Sequence, residues 1–200
     1  MIYLDKDKEV RLLAKNLEVR NDGTDEMIIE GYAVIFDSPA THGFTEIIDR
    51  NAFNGCDMKC VPLKYNHDDS HLIIASTKNN SLSLTVDDKG LKIRAVLIDT
   101  TSNIDIYKSI RAGLLDKMSF AFTVSEEDWD YQNDIRRILR IDRLYDVSVV
   151  DLPFYDTTSI YARALNTLEN GKKNIDVDIK SELRKKKLAL KVRLLKGEKK

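Results

Sequence analysis

Ser119 lies in the segment GLLDKMSFAFTV, residues 113–124, and its setting suits a nucleophile. At a strand's period of two, this serine shares one face with Ala121 and Thr123, while large apolar side chains occupy the other face. The strip of small residues either lies under a helix or leaves room for another chain to approach the hydroxyl. A serine hydroxyl attacks a carbonyl only when a neighbouring base takes its proton, so the sequence must also supply an imidazole.

Three histidines could supply this base. His42 lies in the turn-like segment SPATHGF, and His71 follows DDS at the start of the next strand. His67 follows the strand VPLKY, where a fixed scaffold can hold its side chain in a cleft. These positions favour His67 as the general base for Ser119. The alternative is a hydrogen-bonded structural histidine, which a histidine beside a strand often is.

A third group would orient the imidazole, and Asp146 in the segment IDRLYDVSVVDL is the candidate. At a period of two, it shares one face with Leu144 and Ser148 inside a strongly apolar strand. A carboxylate there costs free energy unless it accepts hydrogen bonds or pairs with a cation, and a histidine N–H is a suitable donor. A salt bridge from Asp146 to Arg140 or Arg143 is the alternative.

Cys56 and Cys60, followed by His67 and His71, form a second pattern with possible chemistry. Two cysteines four residues apart and two histidines four residues apart form a set of ligands suited to Zn²⁺. Six residues separate Cys60 from His67, whereas the common two-cysteine, two-histidine zinc module has about twelve. The spacing therefore favours two reduced thiols over a zinc site, and we expect neither a metal nor an organic cofactor.

Most of the chain is typical of short strands separated by turn residues, as in VDDKGL and DYQND. The predicted strands are EVRLLAKNLEVR, MIIEGYAVIFD, VPLKY, LIIAS, SLSLTVD, LKIRAVLI, KMSFAFTV, IRRILRIDRL, VSVVDL and TSIYAR. One helix is predicted over TTSNIDIYKSIRAGLL, with Ser102 as its N-cap and Gly113 at its C-terminal end. Many short strands with few helices predict a mainly β fold, a closed or nearly closed barrel flanked by short helices.

Charge divides the chain near residue 165. Residues 166–200 contain twelve Lys or Arg and five Asp or Glu, a charge of +7, so the remainder carries −8 within the total of −1. We therefore predict a domain over residues 1–165 and a basic tail over 166–200, helical or disordered. The tail has no aromatic residue for base stacking, so no specific nucleic-acid site is expected. The sequence has no apolar run of membrane-spanning length and no secretory signal, which predicts a cytosolic protein.

Six segments, in this order and spacing, resemble the prohead maturation proteases of tailed bacteriophages. They are EGYAVIFD, EIIDRNAF, NHDD, GLKIRAVLIDT, AGLLDKMSFAF and LYDVSVVDLPFYDTTSIYAR, within about residues 9–165. The resemblance implies a serine endopeptidase with a β-barrel related to that of the herpesvirus capsid proteases. It implies Ser119 as nucleophile and His67 as general base, and Asp146 stands where the family often has glutamate.

Three positions depart from the pattern of that family. Asn51 and Ala121 stand where the family commonly has glycine, and both positions bear on the backbone around the cleft. Asp146 is one methylene shorter than glutamate, which shortens its reach to the imidazole. The related viral enzymes use a second histidine as the third member, so the resemblance leaves His42 or His71 as the alternative. No departure removes a proposed catalytic group.

The resemblance also implies a biological setting. Such enzymes act inside the assembling procapsid in the host cytoplasm, where the major capsid protein and the scaffold protein are substrates and the enzyme often cleaves itself. Self-association is expected, and a membrane partner is not. The basic tail is then either a docking segment for the procapsid interior or a piece removed by autoproteolysis. The alternative function is a catalytically inactive, scaffold-like assembly protein of the same fold, which the presence of both Ser119 and His67 disfavours.

Overall fold

The structure, a computed structural model, describes residues 8–13, 17–20, 26–41, 43–151 and 159–197. The strands of these residues are β1 (Glu9–Leu13), β2 (Leu17–Arg20), β3 (Met27–Ile35), β4 (Ala40–Thr41), β5 (Thr45–Ile48), β6 (Pro62–Tyr65), β7 (Ala75–Ser76), β8 (Leu82–Val86), β9 (Gly90–Leu97), β10 (Lys117–Asp130) and β11 (Ile135–Val150). Their helices are α1 (Thr101–Arg111), α2 (Ser159–Gly197) and a 3₁₀ turn at Thr77–Asn79. The chain is therefore mainly β, as the sequence predicts.

The long antiparallel hairpin β10–β11 organises the larger sheet, whose strand order is β1-β10-β11-β5-β4. β11 pairs in parallel with β5 near its start and with β6 near its end, and β6 also pairs with β7. The hairpin turns at Asp134, whose φ of 56° is a left-handed conformation that aspartate tolerates. The predicted strands IRRILRIDRL and VSVVDL are one continuous strand, because Asp146 continues the ladder between them.

The smaller sheet contains four antiparallel strands in the order β2-β3-β9-β8. Buried and partly exposed residues alternate along β9, as the period of a half-buried strand requires. The predicted single strand over residues 9–20 is wrong, since β1 belongs to the larger sheet and β2 to the smaller one. This division lets β1 pair with β10, the strand that carries the candidate nucleophile.

Side chains from both sheets share one hydrophobic core. Ile29 and Ile93 of the smaller sheet belong to the same buried cluster as Phe120 and Val147 of the larger one. Among the described residues, however, no hydrogen-bonded ladder joins the two sheets. The predicted closed or nearly closed barrel is therefore not confirmed, because short strands with frequent turns fit two packed sheets as well as a barrel.

Helix α1 leads the chain into β10, as predicted. Its N-cap is Thr100 rather than Ser102, because the Thr100 hydroxyl accepts the Asn103 N–H at 3.3 Å. Gly113 follows the helix with a φ of 73°, the left-handed conformation that glycine adopts at helix ends. The buried side chain of Ile110 joins the shared core.

Helix α2 contacts the rest of the fold at the tip of the hairpin β10–β11. The buried Leu168 packs with Phe44, Trp129 and Tyr131. At Gly171, an added Cβ would lie 2.1 Å from the Tyr131 ring, so glycine permits this close approach. From residue 172 to residue 187, every side chain of the helix is exposed.

The helical state of α2 corrects one prediction and leaves another open. The predicted strand TSIYAR is wrong from Ser159 onward, because six alternating residues also fit a helix and Ala162 and Ala164 are strong helix formers. The helix runs without a break across residue 165, so the division into a domain over 1–165 and a tail over 166–200 stays a prediction. Neither helix of the described segments has the length and apolar character needed to cross a membrane.

Candidate active site

A tight turn after β6 carries His67. Asn66 and His67 have positive φ values of 52° and 56°, and the Asp68 N–H donates to the Tyr65 carbonyl at 3.0 Å. Positive φ at both central residues is the arrangement of a type I′ turn, which Asn, Asp and His adopt more readily than other side chains. The Asn66 N–H donates to the Val149 carbonyl at 2.9 Å, so the turn is fixed to the end of β11.

Ser119 lies in β10 between two neighbouring strands, opposite Ser148 of β11 and Leu12 of β1. Its Oγ lies 2.6 Å from Nε2 of His67 and 2.8 Å from the carbonyl oxygen of Arg11. The residue is 3% exposed. The single hydroxyl hydrogen of Ser119 therefore has two acceptors within reach, the imidazole and the backbone of β1.

Asp146 lies opposite Ala121 in the hairpin and is fully buried. Its Oδ1 contacts Nδ1 of His67, and its Oδ2 lies 3.2 Å from Nζ of Lys8 and 4.0 Å from Nζ of Lys64. Burial raises the pKa of Asp146, but the imidazole and the two lysines outweigh burial and hold this pKa below its ordinary value. The carboxylate is thus ionised where it contacts the imidazole.

A bulge in β11 determines the face that Asp146 occupies. The ladder pairs Phe122 with Leu144 and Ala121 with Asp146, so Tyr145 is an extra residue in β11. Directly opposed residues point to the same face of a sheet, so Leu144 joins Phe122 in the core while Asp146 takes the other face. The prediction that Leu144 and Asp146 share a face is wrong, because a strict period of two has no place for an extra residue.

Ser148 is a member of this site to which the sequence assigns no role. Its Oγ lies 3.1 Å from Oδ1 of Asp146 and 3.1 Å from Nδ1 of His67. It also accepts the backbone N–H of His67 at 3.3 Å. The signal that could have found it is its position two residues after Asp146, on the same face of the strand.

Ser119, His67 and Asp146 thus form a continuous chain of contacts, in the order hydroxyl, imidazole and carboxylate. These are the groups that nucleophilic acyl transfer requires. The model of the caudovirus prohead serine protease family matches residues 15–174, a range that includes all three. The chain belongs to this family. The resemblance found in the sequence is therefore confirmed.

One solved structure is also similar to this member of the prohead protease family. It is the bacteriophage T4 capsid assembly protease, gp21, with 10% sequence identity and a TM-score of 0.47. The match covers 74% of this chain and 98% of that one. No curated protein matches the chain.

In this prohead protease family member, Arg140 and Arg143, the alternative ion-pair partners of Asp146, contact other side chains. The Nε of Arg140 lies 3.8 Å from the Glu126 carboxylate, and the Arg143 guanidinium lies over the Tyr145 ring at 5.0 Å. The cations beside Asp146 are lysines instead, because Lys64 lies in β6 and Lys8 directly precedes β1.

Among the described residues, the other histidine and the two cysteines are not part of the contacts among Ser119, His67 and Asp146. His71 is exposed, and its Nδ1 lies 2.8 Å from Oδ2 of Asp68, while His42 lies outside the described residues. Cys56 is partly buried, Cys60 is exposed, and both are free thiols. Within the described ranges, no group of three or more His, Cys, Asp or Glu side chains is placed to hold a metal ion.

A buried cluster of charged residues anchors β1 to the hairpin β10–β11. Arg136 of β11 donates to Glu9 of β1 at 2.6 and 2.7 Å, to Glu46 of β5 at 2.8 Å and to Glu127 of β10 at 2.7 Å. Arg11 of β1 also donates to Glu46, at 2.8 Å. Sequence patterns give no sign of this cluster, because its members come from four different strands. It fixes the strand whose carbonyl contacts the candidate nucleophile.

Proposed function

We propose that this prohead protease family member is an active serine endopeptidase. Ser119 is the nucleophile, His67 is the general base, and Asp146 orients His67. The observation that carries the proposal is the 2.6 Å contact between Oγ of Ser119 and Nε2 of His67, with Asp146 on the other ring nitrogen. An inactive scaffold-like protein would not require this contact.

The proposed reaction has two halves. Oγ of Ser119 attacks the scissile carbonyl carbon while its proton passes to Nε2 of His67, and the carbonyl oxygen becomes an oxyanion. His67 then gives this proton to the amine nitrogen as the C–N bond breaks, which leaves an acyl group on Ser119. Water attacks the acyl group in the same way, giving its proton to His67 and then restoring the Ser119 hydroxyl. Asp146 holds the ring and stabilises the imidazolium.

The Arg11 carbonyl bears on the first step. A hydroxyl has one hydrogen, so at the moment of attack the Ser119 hydroxyl must donate it to His67 and not to the Arg11 carbonyl. Because Ser119 is almost fully buried, the substrate must displace neighbouring groups to reach it. In this proposal, substrate binding both exposes the hydroxyl and directs its hydrogen to His67.

The proposed substrates are the major capsid protein and the scaffold protein of the assembling procapsid, and the chain itself. Self-association inside the procapsid, in the host cytoplasm, belongs to the same proposal. The expected closed or nearly closed barrel, like that of the herpesvirus capsid proteases, belongs to it as well. The exposed basic part of α2 suits docking on acidic helices of a scaffold.

The first experiment compares wild type, Ser119→Ala and Ser125→Ala, each co-expressed with the phage's capsid and scaffold proteins. Ser125 is the matched control, because it is an exposed serine on the same strand. Intact-mass analysis of all products should find truncated capsid or scaffold species with wild type and Ser125→Ala. Truncation by Ser119→Ala would overturn the proposed nucleophile, and procapsids without truncation in any sample would favour the inactive alternative.

A further inference from the structure

We propose that Ser148 is a positioning residue that fixes the tautomer and the orientation of His67. The inference rests on the proposed function of Ser119, His67 and Asp146. It adds a fourth side chain, which acts on the nucleophile only through the imidazole and the carboxylate.

The Ser148 hydroxyl has a full set of partners and no contact with water. Its side chain is fully buried, and Oγ lies 3.1 Å from Oδ1 of Asp146, 3.1 Å from Nδ1 of His67 and 3.3 Å from the backbone nitrogen of His67. A hydroxyl offers one hydrogen and two lone pairs. Three partners therefore use its complete hydrogen-bonding capacity.

The chemistry of these partners assigns the hydrogens. Asp146 is ionised and can only accept, so the Ser148 O–H donates to its Oδ1. The backbone N–H of His67 can only donate, so it takes one lone pair of Ser148. The remaining lone pair faces Nδ1 of His67, which must therefore carry a hydrogen. Nε2 then keeps its lone pair on the side of Ser119, as a general base requires.

The two oxygens of Asp146 have separate partners, which supports this assignment. Oδ2 faces Nζ of Lys8 at 3.2 Å and of Lys64 at 4.0 Å. Oδ1 is left for Ser148 and for Nδ1 of His67. The lysines hold the carboxylate from one side, and the serine and the imidazole hold it from the other.

Ser148 also stabilises the unusual backbone of His67. A positive φ at a residue with a side chain costs free energy, and two such residues in succession persist only where their surroundings hold them. The His67 N–H bonded to Ser148 Oγ and the Asn66 N–H bonded to the Val149 carbonyl hold the turn from consecutive residues of β11. Removal of the Ser148 hydroxyl breaks one of these two hydrogen bonds.

The reactivity of Ser119 tests the inference without knowledge of the cleavage site. A fluorophosphonate reagent, which forms a covalent bond with activated serines, would be applied to the full chain as wild type, Ser148→Ala and Ser148→Thr. We expect Ser148→Ala to react roughly tenfold more slowly, the effect of one lost hydrogen bond, and Ser148→Thr to recover most of the rate. Ser81→Ala is the control. Ser81 also donates and accepts hydrogen bonds, but its partners Ser76 and Asn79 are not residues of the candidate site. It should react at the wild-type rate.

A spectroscopic measurement separates positioning from a structural effect. The chain has three histidines, so ¹⁵N-histidine labelling with a His67→Gln reference assigns the His67 ring. We expect the Nδ1–H tautomer alone in wild type and a mixture of tautomers in Ser148→Ala. A wild-type Nε2–H tautomer, or an unchanged rate and tautomer in Ser148→Ala, would overturn the inference.

These outcomes are distinct from failure of the proposed function. If Ser119→Ala binds the reagent as wild type does, then the nucleophile is wrong, whatever Ser148 does. If Ser148→Ala does not fold, an Nε2–H tautomer of His67 in wild type would still overturn the inference, and Ser148→Thr with the wild-type rate and tautomer would support it.

Discussion

Replacement of Arg136 by methionine should destabilise this protein strongly at neutral pH. Arg136 is the centre of the buried charged cluster, where it contacts Glu9, Glu46 and Glu127. Methionine fills much of the same volume but cannot donate a hydrogen bond or carry a charge. Among the residues that the structure describes, Arg11 would remain as the one cation for two buried carboxylates, those of Glu9 and Glu46.

The size of the effect follows from burial. Removal of one partner from a buried ion pair costs about 3–5 kcal/mol, because the other charge stays buried without compensation. The contact with Glu127 adds little, since 31% of that side chain is exposed and water screens its charge. For a chain of this size, the loss corresponds to a fall in Tm of about 6–20 °C.

The loss of unfolding free energy in Arg136→Met should become smaller as pH falls. Burial raises the pKa of Glu46, but Arg11 and Arg136 outweigh burial and hold that pKa below its ordinary value. A lowered folded-state pKa gives stability that is present above the unfolded pKa and is lost as pH falls through the folded pKa. In Arg136→Met, Glu46 keeps one cation, so its pKa rises and protonation relieves the buried charge. The two proteins should therefore approach each other in stability toward about pH 4.

Urea unfolding of wild type and Arg136→Met at neutral and acidic pH would measure both effects. Arg140→Met is the matched control, because Arg140 lies on the same strand with 43% of its side chain exposed and should lose less than about 1 kcal/mol. If Arg136→Met lowered the free energy of unfolding as little as the control does, the argument from burial would be refuted. A loss that does not change with pH would refute the argument from ionisation.

Two further predictions concern the site and the thiols. Asp146→Asn should slow fluorophosphonate labelling of Ser119 by roughly 10⁴-fold, because an amide can stabilise the wrong tautomer of His67. Labelling within tenfold of wild type would show that Asp146 does not orient the ring. Burial raises the pKa of Cys56 to about 11, so roughly one in a thousand Cys56 thiols is ionised at pH 8. A thiol reagent at that pH should modify the exposed Cys60 first, and rapid labelling in Cys60→Ser would contradict this expectation.

Local patterns in the sequence were sufficient to select the three side chains as candidates, while the alternatives for His67 and Asp146 stayed open until the family resemblance was considered. The alternation around Ser119 marks a strand with one small-residue face, and the end of the strand VPLKY marks a fixed position for His67. The unusual cost of a carboxylate inside an apolar strand marks Asp146. Each of these signals lies within a few residues of the side chain concerned.

Features that depend on distant pairing could not be predicted in this way. The bulge at Tyr145 depends on how β11 aligns with β10, and the position of β1 depends on which sheet it joins. The partners of Arg136 come from three other strands. The state of α2 was ambiguous for another reason, since alternation over a few residues fits both a strand and a helix.

The register of the hairpin has a consequence for how the length of this chain can change. Ser119, Ala121 and their partners Ser148 and Asp146 lie in an uninterrupted part of the ladder, whereas every register shift falls beyond Ala121, toward the tip. One residue inserted in the uninterrupted part would turn the serine toward the core. One inserted nearer the tip would add to the existing bulges. Insertions and deletions among natural relatives should therefore occur toward the tip, and an alignment of their lengths would check this.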